Sequence, residues 1–261
     1  MKTLYIDCAS GMSGDMMLAA FVNMGMPIAY MQKEFEKLGI SKEFQFSAKH
    51  NFYQGKKVTS LDVNLENEAV MQIHPYSGRY RNYRDILDLL EKSSLNDKVK
   101  DLSRKIFAIK ATAEASVHGV PLEKVQFHEA GAVDSIVDIV GATLGIDYFG
   151  IETITSTEVP TGYGSVLCAC GELPVPAPAV KQILKETKLP HYRSDIKQEL
   201  LTPTGAAILA GITSCFTKQK LSVSAAALKQ NFLQAGYGIG KRITGLPPLC
   251  LLLCNDAIRM S

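Results

Sequence analysis

Residues 127–142, Phe-His-Glu-Ala-Gly-Ala-Val-Asp-Ser-Ile-Val-Asp-Ile-Val-Gly-Ala, carry four groups able to hold a cation: His128, Glu129, Asp134 and Asp138. Asp134 and Asp138 are four apart, so a helix puts both on one face, and Gly141 and Gly145 continue that face. Val133, Ile136, Val137, Val140 and Leu144 form an apolar stripe that Ile139 widens, so the helix is expected to be buried around most of its circumference. Two carboxylates on a buried seam raise a pKa or demand a cation, because each unpaired buried ion costs several kcal/mol. Imidazole with carboxylates suits a divalent transition ion or magnesium. His128 and Glu129 precede the helix across a turn at Gly131 and can converge on its N-terminus, while the two glycines leave room for a ligand or a second backbone. His128, Glu129 and Asp134 are therefore the catalytic candidates.

A second constellation opens the chain. In Tyr-Ile-Asp-Cys-Ala-Ser-Gly-Met-Ser-Gly-Asp-Met a strand ends near Asp7, and the loop delivers Ser10, Gly11, Ser13, Gly14 and Asp15 to a helix start. That geometry can cradle phosphate or hold a metal. The spacing fits neither the dinucleotide-binding nor the P-loop pattern, and an ordinary cap by Ser13 or Asp15 explains it equally well. Thr202 and Thr204 with Gly205 offer a further anion site at a helix N-terminus, or a simple cap. Cys168 and Cys170, one residue apart, can face one soft metal, although zinc sites use wider spacings and two small buried hydrophobes are an even alternative. Glu114 and His118, four apart at a helix end, read as a helical polar pair before they read as ligands.

The elements that must position these residues follow from periodicity and punctuation. Residues 4–8 read as a buried strand, Met16–Met24 as a helix stopped by Gly25 and Pro27, and Ile28–Leu38 as a second helix ending at Gly39. Residues 44–65 alternate around Gln54-Gly55, the pattern of a hairpin. His74–Asn82 is a polar, aromatic loop; helices are expected over Tyr83–Lys92 and Asp97–His118. Residues 151–160 are strand-like, and 161–179 are dense in turn-formers, with Leu-Pro-Val-Pro-Ala-Pro-Ala at 173–179 forming a rigid wall outside any interior strand or helix. Ala177–Thr187 and Thr202–Ile212 read as helices, the latter with Pro203 at its first position, and 221–230 and 248–254 as a last portion of sheet. The mixed order predicts an α/β or α+β fold, a mixed sheet flanked by helices. It leaves room for two lobes: residues 1–149 with the Gly-rich loop and the His/acid helix, and 150–261 with the Pro/Gly-rich loops.

Bulk properties exclude several classes. With 261 residues, 46% hydrophobic and 21% charged, the chain can bury a large core. A net charge of +2 from 28 basic and 26 acidic residues gives no global field for nucleic acid or membrane. No secretion signal is visible, and the apolar run 246–254 is too short to span a bilayer. Six cysteines in a chain of this length, without a secretion signal, are expected to be thiols.

Together, DCASGMSGDM, EASVHGVPLEKVQFHEAGAVDSIVDIVGA, GELPVPAPA, ELLTPTGAAIL and GYGIGKR resemble the LarC family of nickel-insertion proteins over nearly the whole chain. The resemblance implies a cytoplasmic nickel chelatase of the lyase class. It would insert nickel into pyridinium-3,5-bisthiocarboxylic acid mononucleotide, consuming CTP with Mg or Mn, to complete the nickel-pincer cofactor of lactate racemase. It implies metal contacts at His128, Glu129, Asp134, Asp138, Cys168 and Cys170, with substrate phosphate held at Ser10, Gly11, Ser13, Gly14, Asp15, Thr202 and Thr204. Where the family reads Cys-Ala-His-Gly, this chain has Cys168-Ala169-Cys170-Gly171, a thiol in place of an imidazole. Full-length members continue past the position of Ser261 into a C-terminal CTP-binding domain, so a counterpart polypeptide is expected, together with a homo-oligomer. The alternatives are a non-catalytic nickel-binding or delivery subunit, and a magnesium-dependent phosphohydrolase built on Asp7, Asp15, Asp134 and Asp138.

Overall fold

The computed structural model describes residues 1–65, 81–127, 132–168, 171–217, 234–241, 243 and 245–254. The first strand, β1 (Thr3–Asp7), is buried on both faces at Leu4, Tyr5 and Ile6. It pairs parallel to β4 (Thr153–Thr157) and antiparallel to β11 (Leu249–Cys254). The hairpin of β2 (Phe44–Tyr53) and β3 (Lys56–Leu65) turns at Gln54 and Gly55, both at positive φ, as a type I′ turn requires. With β9 (Cys215–Thr217) and β10 (Gln234–Ile239), these strands form one mixed sheet in the order β2-β3-β10-β11-β1-β4-β9. Strands from both sides of residue 150 thus alternate in a single sheet. From the pairings, β1, β3, β4, β9 and β10 run in one direction and β2 and β11 in the other. The carboxyl ends of five strands therefore share one edge, the place where open α/β sheets bind ligands.

Helix α1 (Gly14–Met24) lies on the sheet against β10, β3 and β11. Its close approach explains the alternating glycines of Gly-Tyr-Gly-Ile-Gly: a Cβ at Gly236 would collide with the Ala20 carbonyl oxygen, one at Gly238 with that of Met16, and one at Gly240 would fall 2.7 Å from Met16 Cγ. On its other side α1 meets α5 (Val133–Phe149). There Gly141 accepts the tip of Leu18, at 2.7 Å from a Cβ position, and Gly145 accepts the ring of Phe21. The glycines of the 134-138-141-145 seam therefore admit the side chains of a neighbouring helix.

Around this centre pack α2 (Ile28–Glu36), α3 (Tyr83–Lys92), α4 (Asp97–His118), α6 (Pro178–Thr187) and α7 (Pro203–Ile212). The cap at Thr202 is the one the sequence suggests, whereas Ser13 makes no side-chain cap bond on α1. Asn82 and Asp85 form a capping box on α3, Asn96 accepts from Val99 N–H at 2.9 Å on α4, and Thr202 Oγ1 accepts from Gly205 N–H at 3.0 Å on α7. Seven α-helices against a seven-stranded mixed sheet, among the described residues, make the fold mixed α/β as expected. No helix among them is long and apolar enough to cross a membrane.

One expectation needs correction. The turn-rich stretch after residue 161 contains a two-stranded ribbon, β6 (Gly164–Cys168) with β7 (Gly171–Val175), so Leu173, Pro174 and Val175 are strand residues; among the described residues the ribbon has no third strand, and Pro174 has no interior ladder to break. The short strand β5 (Val159–Thr161), at the end of the strand-like 151–160, pairs in parallel with β8 (His191–Arg193), which had no periodicity to betray it. The expected strand at 221–230 and most of the 74–82 loop lie outside the described residues.

Candidate functional site

The loop after β1 is tied down over α7. Met12 N–H donates to Leu200 O at 2.8 Å and Thr202 N–H to Met12 O at 3.2 Å, and Gly11, at φ +99°, lies so close to the Leu200 carbonyl that a Cβ could not be accommodated. This docking brings the N-termini of α1 and α7 beside the first turns of α5. A 110 Å³ cleft between them is lined by Ser13, Asp15, Leu61, Val63, Asp134, Asp138, Thr202, Pro203, Thr204 and Lys241. Residues from five separate stretches of sequence meet there.

Three helix N-termini facing one cleft give a positive local field from unpaired amide N–H groups. The acids sit where that field favours them. Asp15 is in the first turn of α1, where its Oδ1 accepts from Met16 N–H at 2.9 Å and from the Ser13 hydroxyl, and its Oδ2 from Lys241 N–H at 2.8 Å. Asp134 is in the first turn of α5 and Asp138 one turn on, both half-buried and both engaged in interactions. Asp138 lies flush against Gly14, where any side chain would displace it. Lys241, at the end of β10, reaches Asp62 at 3.7 Å; Asp62 also pairs with Lys49 at 2.8 Å, and the Lys49 hydrogen bond first, with Lys241 adding its charge, holds the Asp62 carboxyl below the usual range.

Behind the cleft lies a group the sequence reading passed over. Lys110 of α4 is 4% exposed, and its Nζ donates to Ser135 Oγ at 2.5 Å and Thr204 Oγ1 at 2.9 Å, with the Phe127 ring 5.4 Å away. Among the described residues no carboxylate forms an ion pair with it. A lysine in the middle of an amphipathic helix looks like a solvated position, and only the convergence of α4, α5 and α7 turns it inward. Lys241 was missed too, although a Gly-Lys step following a strand of alternating glycines was a usable signal.

The predicted residues are partly united and partly separated. Ser13, Asp15, Asp134, Asp138, Thr202 and Thr204 share the cleft. Gly11 and Gly14 are packed against Leu200 and Asp138 and face no open space. Ser10 and Asp7 line a different, larger cavity of 420 Å³. A phosphohydrolase using Asp7, Asp15, Asp134 and Asp138 together would need all four in one place, and Asp7 stands apart. Cys168 ends β6 with its thiol donating to Gly171 O at 3.1 Å, and it lines neither space. Glu114 and His118 form the expected helical pair at 3.6 Å. His128, Glu129, Gly131 and Cys170 lie outside the described residues. Among the described residues no three His, Cys, Asp or Glu side chains group closely enough to hold a metal, so any ion in the cleft must complete its shell with donors from beyond that set.

Fold and cleft define a mixed α/β protein with an oxygen-rich, ligand-sized site at the carboxyl edge of its sheet. The family it belongs to is that of the nickel insertion proteins, whose model matches residues 4–256. Among its relatives, pyridinium-3,5-bisthiocarboxylic acid mononucleotide nickel insertion proteins of Clostridium acetobutylicum, Clostridium kluyveri and Acetivibrio thermocellus are 41%, 40% and 38% identical, over 95%, 95% and 94% of this chain. The matches span 62%, 60% and 58% of those relatives' own lengths. No solved structure matches the chain.

Proposed function

We propose that this chain takes part in inserting nickel into pyridinium-3,5-bisthiocarboxylic acid mononucleotide, and that the 110 Å³ cleft is where metal and phosphate are held. The observation that carries the reading is the meeting of Ser13, Asp15, Asp134, Asp138, Thr202, Thr204 and Lys241 in one cleft over three helix N-termini. Asp134 and Asp138 supply oxygen donors to nickel, joined by His128 and Glu129 from the segment before α5, with His128, Glu129 and Asp134 closest to the chemistry. The Thr202 and Thr204 hydroxyls, the α7 N-terminus and Lys241 hold the substrate phosphate, and Lys110 adds charge from behind. Cys168, at the end of β6, and Cys170 offer sulfur.

Under this reading the activity is of the lyase class, a chelatase forming nickel–carbon and nickel–sulfur bonds for the nickel-pincer cofactor of lactate racemase. CTP with Mg or Mn, a counterpart polypeptide, a homo-oligomer and a cytoplasmic setting belong to the same proposal. Equilibrium dialysis with nickel tests its core. Stoichiometric binding to the 261-residue chain, reduced by one equivalent in a His128→Ala/Asp134→Ala double variant, supports it; absence of binding, or binding indifferent to both changes, removes it. Turnover with nickel, CTP and the mononucleotide, with and without the remaining part of a relative, then separates a catalytic chain from a delivery subunit.

A further inference from the structure

The larger cavity lies on the other face of the sheet. Gly236 and Gly238 turn toward α1, so Tyr237 between them points away from it. In register, Tyr237 pairs with Cys250 and Cys250 pairs with Asp7, which places phenol, thiol and carboxylate in one row across β10, β11 and β1. All three line the 420 Å³ cavity, whose walls are completed by Ser10, Lys56 and the apolar Leu246-Pro247-Pro248 segment. Cross-strand neighbours hold their Cβ atoms about 4.5–5.5 Å apart, a separation from which a thiolate and a carboxylate can close on one ion.

The other described cysteines are spoken for or turned elsewhere. Cys8 is fully buried against Ser156, Cys254 is buried with its thiol on Thr3 O, Cys215 sits on an edge strand with its thiol toward Phe216 O, and Cys168 bonds back to Gly171 O. Cys250, by contrast, lines the 420 Å³ cavity. Its surroundings prepare the sulfur for a cation. The Tyr237 hydroxyl donates to it, Asp7 stands beside it, and Asp7 is itself oriented by accepting the Ala9 N–H at 3.0 Å. Lys56 Nζ stands 5.1 Å over the Tyr237 ring and supplies a positive charge for an anionic molecule sharing the cavity.

We propose that Cys250 and Asp7 form a second contact, of sulfur and oxygen, for a soft or borderline divalent ion, nickel if the reading above holds, on the opposite face of the sheet from the cleft and with space beside it for an anionic molecule. No redox change is involved. The metal–sulfur bond forms as the Cys250 S–H proton leaves to solvent, the Asp7 carboxylate donates a lone pair without losing a proton, and the Tyr237 hydrogen bond passes from thiol to thiolate. Two protein donors leave coordination positions open, as a site that must hand its ion on requires.

Nickel titration of the reduced 261-residue chain, followed by near-ultraviolet thiolate-to-nickel charge-transfer absorption together with equilibrium dialysis, tests this. The expected result is a saturable band that is abolished in Cys250→Ser, persists in Cys215→Ser, and saturates at roughly ten-fold higher nickel in Tyr237→Phe, which removes only the hydrogen bond to sulfur. Far-ultraviolet circular dichroism of each variant guards against misfolding, and Cys250→Ala, which removes the donor while keeping the small side chain, must behave as Cys250→Ser does. Nickel bound without the band, or a band that survives Cys250→Ser, overturns the inference while leaving the nickel reading intact. No nickel bound by the unmodified chain removes both.

Discussion

Lys110 Nζ lies 2.9 Å from Thr204 Oγ1, so a buried ammonium on α4 stands directly behind the first turn of α7. Among the described residues two hydroxyls and no carboxylate hydrogen-bond the ammonium, and an ion kept at 4% exposure costs several kcal/mol in lost hydration. A fold that retains such a charge beside a cleft lined by Thr202 and Thr204 gains from it when an anion arrives.

Lys110→Met keeps the volume and deletes the charge. Inorganic phosphate, measured by isothermal titration calorimetry, is expected to bind about ten-fold more weakly to the variant, a loss of about 1.4 kcal/mol. The melting temperature should change little, because exchanging a buried charge for a well-packed apolar chain is often neutral. Unchanged phosphate affinity with a collapsed melting temperature would make Lys110 a purely structural tie between α4, α5 and α7.

The contact of Gly14 with Asp138 and that of Gly145 with Phe21 test the α1–α5 seam at its two ends. Overpacking costs about 1–3 kcal/mol, so Gly14→Ala and Gly145→Ala should both lower the urea midpoint. They should differ at the cleft. Gly14→Ala pushes on the Asp138 carboxylate and is expected to weaken nickel binding, whereas Gly145→Ala, about two turns further along α5, leaves it within error. Equal effects on binding would mean that the seam moves as one body.

Much of this arrangement was legible in the sequence. Asp134, Asp138, Gly141 and Gly145 share a helix face by spacing alone, and the cap at Thr202 marks its helix because the side chain satisfies a local N–H group. Spacing could not say that the glycines admit Leu18 and Phe21, since that depends on which helix arrives from the far side of the fold. Nor could it separate Asp7 from Asp15: eight residues apart on one loop, they line different cavities because the loop turns over the sheet edge between them. The β6–β7 ribbon escaped notice because its Pro174, which forbids an interior strand, is harmless in a pair with no third strand among the described residues.

Asp62 gives the pH dependence on the acid side. Its folded carboxyl lies below its ordinary value, first through the Lys49 hydrogen bond, so folding favours the ionised form. The stabilisation is fully present above the unfolded carboxylate pKa and is lost as pH falls through the lower folded one. Urea unfolding of the parent chain and Asp62→Asn should therefore differ at neutral pH and converge in strong acid. The difference should also shrink in high salt, since Lys49 and Lys241 are largely exposed. A gap between the two that widens on acidification would reverse the assignment.

Cys8 governs the alkaline side. Burial pushes its thiol up to about 12, partly offset by its hydrogen bond with Ser156, so the folded state holds a proton that the unfolded chain releases near its ordinary thiol pKa. Between those two values the folded state binds more protons than the unfolded one, and stability falls as pH rises, by up to about 1.4 kcal/mol per pH unit for one such group. Cys250, also pushed up to about 12 by burial and by Asp7, adds a second contribution of the same sign. Urea midpoints measured from pH 8 upward should decline more steeply for the parent chain than for a Cys8→Ala variant, whose lower overall stability shifts the curve without removing its remaining slope. Parallel curves would show that the Cys8 proton is shed in the folded state as readily as in the unfolded one.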